Sequence, residues 1–152
     1  MAGRLQVNVR TVQRYLNILE KMFIIFSLPG LSRNMRNEYT KTPRYYFWDN
    51  GIRNTLIANL NPINIRNDVG QLWVENYCIS ERQKYLSYNR ISANKFFWRT
   101  YTQKEIDYIE ERDGMLHAYE MKYSAESNKI FLCKIKNNRL VGLLLKICLY
   151  LH

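Results

Sequence analysis

The strongest constraint on the fold of this chain is the Asp113-Gly114 dipeptide, which lies between two arms rich in Ile, Tyr, Leu and Met across residues 105–122. Asp-Gly supplies positive φ angles at both central positions of a type I′ turn. The segment is therefore predicted to be a β-hairpin with a two-residue loop. That loop fixes the register of the arms and places Asp107 directly opposite Glu120.

Two carboxylates in such a pair destabilise a hairpin because their Cβ atoms lie only about 5 Å apart. Lys122 falls on the same face as Glu120, since side chains alternate along a strand. A Mg²⁺ ion, or Mn²⁺ in its place, bound between Asp107 and Glu120 would remove the remaining repulsion. The alternative is a solvated hairpin face that merely tolerates two acids.

A third acid belongs to a long helix predicted from about Asp68 to Tyr85. Leu72, Ile79 and Leu86 form its apolar stripe, and Glu75 lies in line with them. A carboxylate among core-facing positions is costly unless it is paired or bound to a metal. Glu75 is therefore either a third acid of the hairpin site or a rim residue paired with a nearby basic group.

The charge of the chain is strongly uneven along its length. The net charge is +10, and residues 1–66 carry 10 Lys and Arg against 3 acids, whereas residues 67–152 carry 13 against 10. A basic surface in the first half favours a polyanionic partner such as DNA. With 47% hydrophobic residues, the 152-residue chain can bury a core as one domain, or as one domain and a small part of another.

Several classes of protein are excluded or disfavoured by missing patterns. No P-loop motif occurs, so nucleotide binding of that type is excluded and no ATPase activity is expected. The three Cys are widely spaced and form no ligand motif, which favours a reduced, cytoplasmic protein. The longest apolar run, residues 140–151, is too short to span a bilayer, and no signal peptide opens the chain. We expect no membrane association.

The N-terminal segment is predicted to be a helix capped by Asn8. Its apolar stripe consists of Val9, Val12, Leu16, Leu19 and Phe23. Its opposite face consists of Arg10, Gln13, Arg14, Asn17 and Lys21. Such a polar face contacts phosphates and base edges in helix-turn-helix proteins, and it is equally the solvated side of an ordinary amphipathic helix.

A hairpin is predicted to follow that helix. A buried strand over residues 23–28, a basic loop that carries Arg33 and Arg36, and an aromatic strand over residues 44–48 give the order of a winged helix. Next come a short helix over residues 51–60, capped by Asp49, and a boundary near residues 61–68. Residues 95–99 are predicted to be a strand that completes a three-stranded antiparallel unit with the Asp113-Gly114 hairpin.

Several separated motifs over residues 3–125 together resemble the C-terminal region of prokaryotic AAA-type ATPases. They are Thr11-Val12 with Tyr15-Leu16 and Leu19-Glu20, Leu31 to Asn34, Tyr46 to Asn54, Glu75-Asn76, Phe97 to Thr100, Glu105 to Glu110 and Glu120-Met121-Lys122. The ATPase domain and the first part of the winged helix that precede this region in the family are not in the chain. We therefore expect a fragment or a stand-alone remnant.

The resemblance implies an α/β fold, α+β in detail, in which a partial winged helix precedes a restriction-endonuclease-like core with a mixed sheet flanked by helices. It implies a winged-helix-like DNA-binding segment over residues 1–61, with Arg10, Arg14, Arg33 and Arg36 on DNA. Residues 62–127 would then be a PD-(D/E)xK nuclease-like domain, and residues 128–152 a divergent tail that matches no pattern.

In that nuclease-like site, Asp107, Glu120, Lys122 and Glu75 are the expected catalytic residues. Asp107 and Glu120 would hold Mg²⁺, Lys122 would orient the attacking water, and Glu75 would complete the metal shell through water. The expected function is a nucleic-acid-interacting domain, associated with an AAA-type ATPase, that cleaves phosphodiester bonds. The alternative is a non-catalytic DNA- or protein-binding module that regulates such an ATPase.

Overall fold

The computed structural model describes residues 8–31, 42–62, 65–68, 74–99, 104–124, 129–136 and 146–150. Within those ranges the chain forms three helices, α1 Val9–Lys21, α2 Asn50–Leu56 and α3 Val74–Tyr88. The same ranges contain seven strands: β1 Ile25–Leu28, β2 Arg44–Phe47, β3 Asn94–Arg99, β4 Glu105–Arg112, β5 Met115–Ser124, β6 Lys129–Lys136 and β7 Lys146–Tyr150. The fold is mixed α+β. None of the described helices has the length and apolar character that a membrane span requires.

Helix α1 begins where the sequence predicts, because the side chain of Asn8 accepts a hydrogen bond from the backbone N–H of Arg10. It ends in a Schellman arrangement, in which Phe23 N–H bonds to Glu20 C=O and Ile24 N–H bonds to Leu19 C=O. Phe23 adopts φ 56°, a left-handed conformation in which glycine is usual. Strand β1 therefore starts at residue 25 instead of the predicted residue 23.

Helix α2 is capped by Asp49 as predicted, through hydrogen bonds from the backbone N–H groups of Gly51 and Ile52. It ends at Leu56, four residues earlier than expected. The reason is again a left-handed residue, Ala58 at φ 51°, which closes the helix before the Asn-Pro signal is reached.

Strands β1 and β2 form the predicted antiparallel hairpin, with Ile25 opposite Phe47 and Leu28 opposite Arg44. The order of α1, β1 and β2 is the order expected of a winged helix. Its predicted basic loop, which includes Arg33 and Arg36, lies outside the described residues.

The main sheet has five strands in the order β3-β4-β5-β6-β7, and every ladder in it is antiparallel. The expectation of a mixed sheet is wrong for the described strands. Consecutive strands here are neighbours, and a direct connection between neighbours reverses the chain, whereas parallel neighbours need a crossover of a dozen or more residues. The described parallel pairing is an isolated bridge between Gly30 and Phe97, outside the sheet ladders.

The turn between β4 and β5 is the predicted one. Asp113 has φ 53° and Gly114 has φ 72°, the two positive angles of a type I′ turn. The ladder then runs from Arg112 opposite Met115 up to Tyr108 opposite Tyr119, in the predicted register.

The segment expected to be a divergent tail adds two strands to the same sheet. Residues 129–136 pair with β5, and residues 146–150 pair with residues 131–135 of β6. The two strands were not predicted, because an apolar run without clear turn signals does not distinguish a buried strand from a helix.

The N-terminal hairpin and the sheet share one hydrophobic core. Its members come from β1, β2, α3, β3, β4 and β5, and include Phe26, Leu28, Tyr46, Val74, Cys78, Ile79, Phe97, Tyr108 and Tyr119. Beside the core, the backbone N–H of Leu31 bonds to Phe97 C=O, and Phe97 N–H bonds to Pro29 C=O. The side chains of one continuous core therefore come from both sides of the predicted domain boundary.

The side chain of Asn76, in α3, forms hydrogen bonds to the backbone of β2. Its Oδ1 accepts from the backbone N–H of Phe47 at 2.7 Å, and its Nδ2 donates to Phe47 C=O at 2.9 Å and to Asn50 Oδ1 at 2.7 Å. Only 4% of Asn76 is exposed, so water does not replace these bonds when they are lost.

We predict that Asn76→Ala lowers the free energy of unfolding by about 2–4 kcal/mol, because it leaves buried backbone groups of β2 without partners. Urea unfolding monitored by tryptophan fluorescence measures the change. Asn61→Ala removes the same amide from an exposed loop position and serves as the matched control. Equal stability of the two variants would show that the Asn76 bonds do not hold the hairpin.

Candidate functional site

A β-bulge in β4 organises the acidic residues of the chain. Phe96 pairs with Ile109, but two residues later Trp98 pairs with Ile106, so Asp107 and Tyr108 together oppose Phe97. A bulge of this kind turns two consecutive side chains toward the same face of a sheet. Asp107 therefore shares the α3-facing side with Tyr108.

The positions on either side of the bulge agree with this placement. Lys95 of β3 donates to Gln83 of α3 at 2.8 Å, and Glu110 of β4 accepts from Arg82 of α3 at 2.6 Å. Beyond the bulge, Glu105 faces the same side. One strand thus presents carboxylates at positions 105, 107 and 110 toward one helix.

Arg44 of β2 joins the first part of this group. Its Nη2 lies 2.6 Å from Oε2 of Glu105, and its Nη1 lies 3.4 Å from Oε1 of Glu75. The hydroxyl of Tyr46 donates to the same Glu75 oxygen at 2.6 Å. The Arg44 guanidinium also lies 4.5 Å from the centre of the Phe97 ring. We call Glu75, Glu105, Asp107, Arg44 and Tyr46 the acidic cluster.

The acidity of Asp107 depends on its place in the cluster. Burial raises its pKa to about 6, a bond from the backbone N–H of Met121 to its Oδ2 at 2.9 Å opposes the rise, and the charges of Glu75 and Glu105 add to it. Burial also raises the pKa of Glu75, against the lowering effects of Tyr46 and Arg44. Arg44 within the cluster and Arg99 at its edge, with Nε 3.6 Å from Oε2 of Glu105, partly neutralise these carboxylates.

The predicted site residues are only partly brought together. Glu75 and Asp107 meet in the acidic cluster. Tyr119 and Met121 pack on the core, and β5 pairs regularly with β6 around them, so alternation puts Glu120 on the opposite face. The backbone of Lys122 pairs with Phe131, and its side chain lies outside the described part of the chain.

A metal ion between Asp107 and Glu120 does not fit this arrangement. Mg²⁺ needs convergent oxygen ligands at about 2.0–2.1 Å, whereas Asp107 and Glu120 lie on different faces. Among the described residues, no three His, Cys, Asp or Glu side chains are grouped in a way that could hold a metal ion. The catalytic and metal-binding roles of Asp107, Glu120, Lys122 and Glu75 remain predictions of the resemblance.

Three members of the acidic cluster were missed from the sequence. The sequence assigns Arg44 and Tyr46 only to an aromatic strand, and Glu105 only to an arm of the predicted hairpin. The signal for Glu105 was its two-residue spacing from Asp107, which puts both on one strand face. The bulge gives no such signal, since neither Asp107 nor Tyr108 is a glycine.

A second group of charges surrounds Glu110, whose side chain is fully buried. Arg82 binds it with two hydrogen bonds, 2.6 Å to Oε1 and 3.0 Å to Oε2, and the Tyr119 hydroxyl lies 3.4 Å from Oε2. A two-pronged arginine contact is the strongest pairing for a buried carboxylate. This pair joins the middle of α3 to the sheet.

The predicted nucleic-acid residues of α1 form one exposed surface. Arg10, Gln13, Arg14, Asn17 and Lys21 are all exposed, and together with Ile18 they line a shallow depression. Gln13 Nε2 donates to Asn17 Oδ1 at 3.0 Å. We call these five polar residues the α1 polar face.

Two protein-family models match the chain, and both describe domains of unknown function. Residues 1–64 match DUF8612, and residues 69–150 match DUF4143. The second match includes residues 129–136 and 146–150, which form β6 and β7. No curated protein and no solved structure matches the chain.

We predict that Asp107→Asn stabilises the protein at pH 7 and not at pH 4. The folded chain binds the Asp107 proton more tightly than the unfolded chain, so stability falls as the pH rises from about 4 to about 6. Asparagine stays neutral and still offers an oxygen to Met121. Urea unfolding should give a gain of about 2 kcal/mol at pH 7 that vanishes near pH 4.

The control for this prediction is Asp113→Asn, which makes the same substitution in the exposed turn and outside the acidic cluster. A gain for Asp107→Asn that is equal at both pH values would contradict a buried, protonatable carboxyl.

Proposed function

The chain belongs to the DUF4143 family, which is known from AAA-ATPase-associated contexts, and from that premise we propose that it is a DNA-binding module of such a system. In this proposal, the α1 polar face contacts duplex DNA. The sheet and α3 support the module and need not cleave the bound strand.

The α1 polar face carries this proposal. Arg10, Arg14 and Lys21 project from one side of a helix that has no acid in its first turn. At about 100° per residue, they fall with Gln13 and Asn17 within an arc of roughly 100°. Clustered cations on a helix displace condensed counterions from DNA phosphates, which is the main source of affinity in such complexes.

The remaining surface of α1 supports the same orientation. Val12, Leu16 and Leu19 are partly buried on the side of α1 opposite the polar face. A helix that packs one side and exposes a basic side is the arrangement with which helix-turn-helix proteins enter the major groove. We propose that α1, β1 and β2 form a partial winged helix with the β1–β2 connection as its wing.

Metal-dependent endonuclease activity is the second candidate, and the convergence of Glu75 and Asp107 on the α3-facing side of the sheet favours it. Against it, Glu75 accepts bonds from Tyr46 and Arg44, and Glu120 lies across the sheet. The arrangement therefore supports binding without cleavage more than it supports catalysis, and we derive no catalytic step through a metal.

We predict that duplex DNA binds with a steep loss of affinity as salt rises, and that the triple variant Arg10→Gln, Arg14→Gln, Lys21→Gln loses most of this binding. Each lost phosphate contact should reduce the slope of log affinity against log salt by about 0.9. Fluorescence anisotropy with a labelled duplex at several salt concentrations measures both effects.

The matched control removes three positive charges from other elements, as Lys84→Gln, Arg90→Gln and Lys104→Gln. Because net charge is equal in the two triple variants, a difference between them reports location. Equal binding by both, or affinity that does not depend on salt, would contradict the proposed interface.

We predict no nicking of supercoiled DNA by this chain in Mg²⁺, Mn²⁺ or Ca²⁺, and DNA affinity that is unchanged or slightly higher for Asp107→Asn, because that change removes negative charge. Agarose gel electrophoresis of plasmid DNA is the measurement. Nicking in Mg²⁺ or Mn²⁺ that stops with chelator and is lost in Asp107→Asn and Lys122→Ala would establish the endonuclease instead.

A further inference from the structure

Two amide side chains on the α1 polar face are bonded to each other. Gln13 and Asn17 are four residues apart, one helical turn, and Gln13 Nε2 donates to Asn17 Oδ1 at 3.0 Å. Both residues are exposed. A bond to one end of an amide fixes its orientation, because a half-turn of the group would break that bond.

The bonded amide of Asn17 still has hydrogen-bonding capacity. One lone pair of Oδ1 and both N–H groups of Nδ2 remain, so Asn17 offers an acceptor and a donor side by side. If both amides were turned by 180°, Asn17 would still have one acceptor and one donor free to face outward. An adjacent acceptor and donor match the adenine edge in the major groove, where N6–H₂ donates and N7 accepts.

The other bases match this pair less well. Guanine presents two acceptors in the major groove, cytosine a donor alone, and thymine an acceptor beside a methyl group. An amide side chain that uses both its oxygen and its N–H group in the major groove therefore favours adenine.

The positive charges around the amide pair, and the size of the helix, favour duplex DNA as the ligand. Arg10 precedes Gln13, and Arg14 lies between Gln13 and Asn17. Lys21 lies one turn beyond Asn17 on the same side of α1. A helix about 10–12 Å in diameter fits the major groove of B-form DNA, which is about 12 Å wide. The deep, narrow major groove of duplex RNA does not admit it.

We propose that Asn17 reads an adenine base in the major groove of duplex DNA and that Gln13 is the positioning residue that orients the Asn17 amide. This inference rests on the proposed function, since it needs α1 to enter the groove. It adds sequence specificity to what would otherwise be phosphate binding alone.

The test begins with the full chain and a pool of DNA duplexes randomised at their centre. Sequencing the bound fraction should show one position enriched in adenine. In the selected duplex, replacing that base with 7-deazaadenine removes N7 but keeps base pairing, and should weaken binding about fivefold to tenfold.

Single substitutions test whether Asn17 and Gln13 cause the adenine preference. Asn17→Ala should lose the adenine preference and bind the normal and 7-deaza duplexes equally, while its salt dependence stays that of the parent. Gln13→Ala should keep a smaller preference, since Asn17 remains but is no longer oriented. Asn61→Ala, the matched control in an exposed loop, should keep the full 7-deaza effect. Alanine favours a helix, so the α1 variants are expected to fold.

The outcomes separate this inference from the function on which it rests. Absence of salt-dependent DNA binding would remove both. Salt-dependent binding with no base preference, a preference for guanine, an unchanged 7-deaza effect in Asn17→Ala, or equal affinity for duplex RNA would overturn the adenine contact and leave the DNA-binding proposal standing.

Discussion

The structure depends on one junction, at which two consecutive residues of α3 hold strand β2. Asn76 binds the backbone of Phe47, and Glu75 binds the side chains of Arg44 and Tyr46. The side chains of consecutive helical residues point about 100° apart. Asn76 can therefore bind the main chain of β2 while Glu75 binds side chains of the same strand. The two family matches end and begin on either side of this junction, at residues 64 and 69.

This junction explains the position of the acidic cluster. Arg44 is drawn between Glu75 and Glu105 because β2 lies against α3, and Asp107 then sits beside two carboxylates with one shared cation. Of the two interpretations of Glu75 that the sequence leaves open, pairing with a nearby basic group describes its observed contacts.

The sequence predicts local features well where one or two residues decide them. The Asp113-Gly114 turn, the hairpin register and the Asn8 and Asp49 caps were predicted from residue type, because each depends on φ preference or a nearby side-chain bond. Helix ends were less accurate. Phe23 and Ala58 adopt left-handed angles that their types disfavour, and in this conformation their backbone N–H groups close the helix ends by bonding to Glu20 and Thr55.

Long-range features of the fold and the site were not predictable in this way. Arg82 and Glu110 are 28 positions apart, and nothing in either local sequence identifies the other as its partner. The direction of strands β6 and β7 likewise follows from pairing across the sheet. The antiparallel unit of β3, β4 and β5 was predicted, but its extension by β6 and β7 was not.

The bulge at Asp107 and Tyr108 has a consequence for comparing relatives of this chain. On the turn side of the bulge, even-numbered residues of β4 face α3, and on the other side odd-numbered residues do. Two family members can therefore have carboxylates at equivalent places in space while their sequences differ by one residue in spacing. Deletion of one residue at this point would restore a regular ladder and turn position 105 away from Arg44, although Glu105 itself would be unchanged.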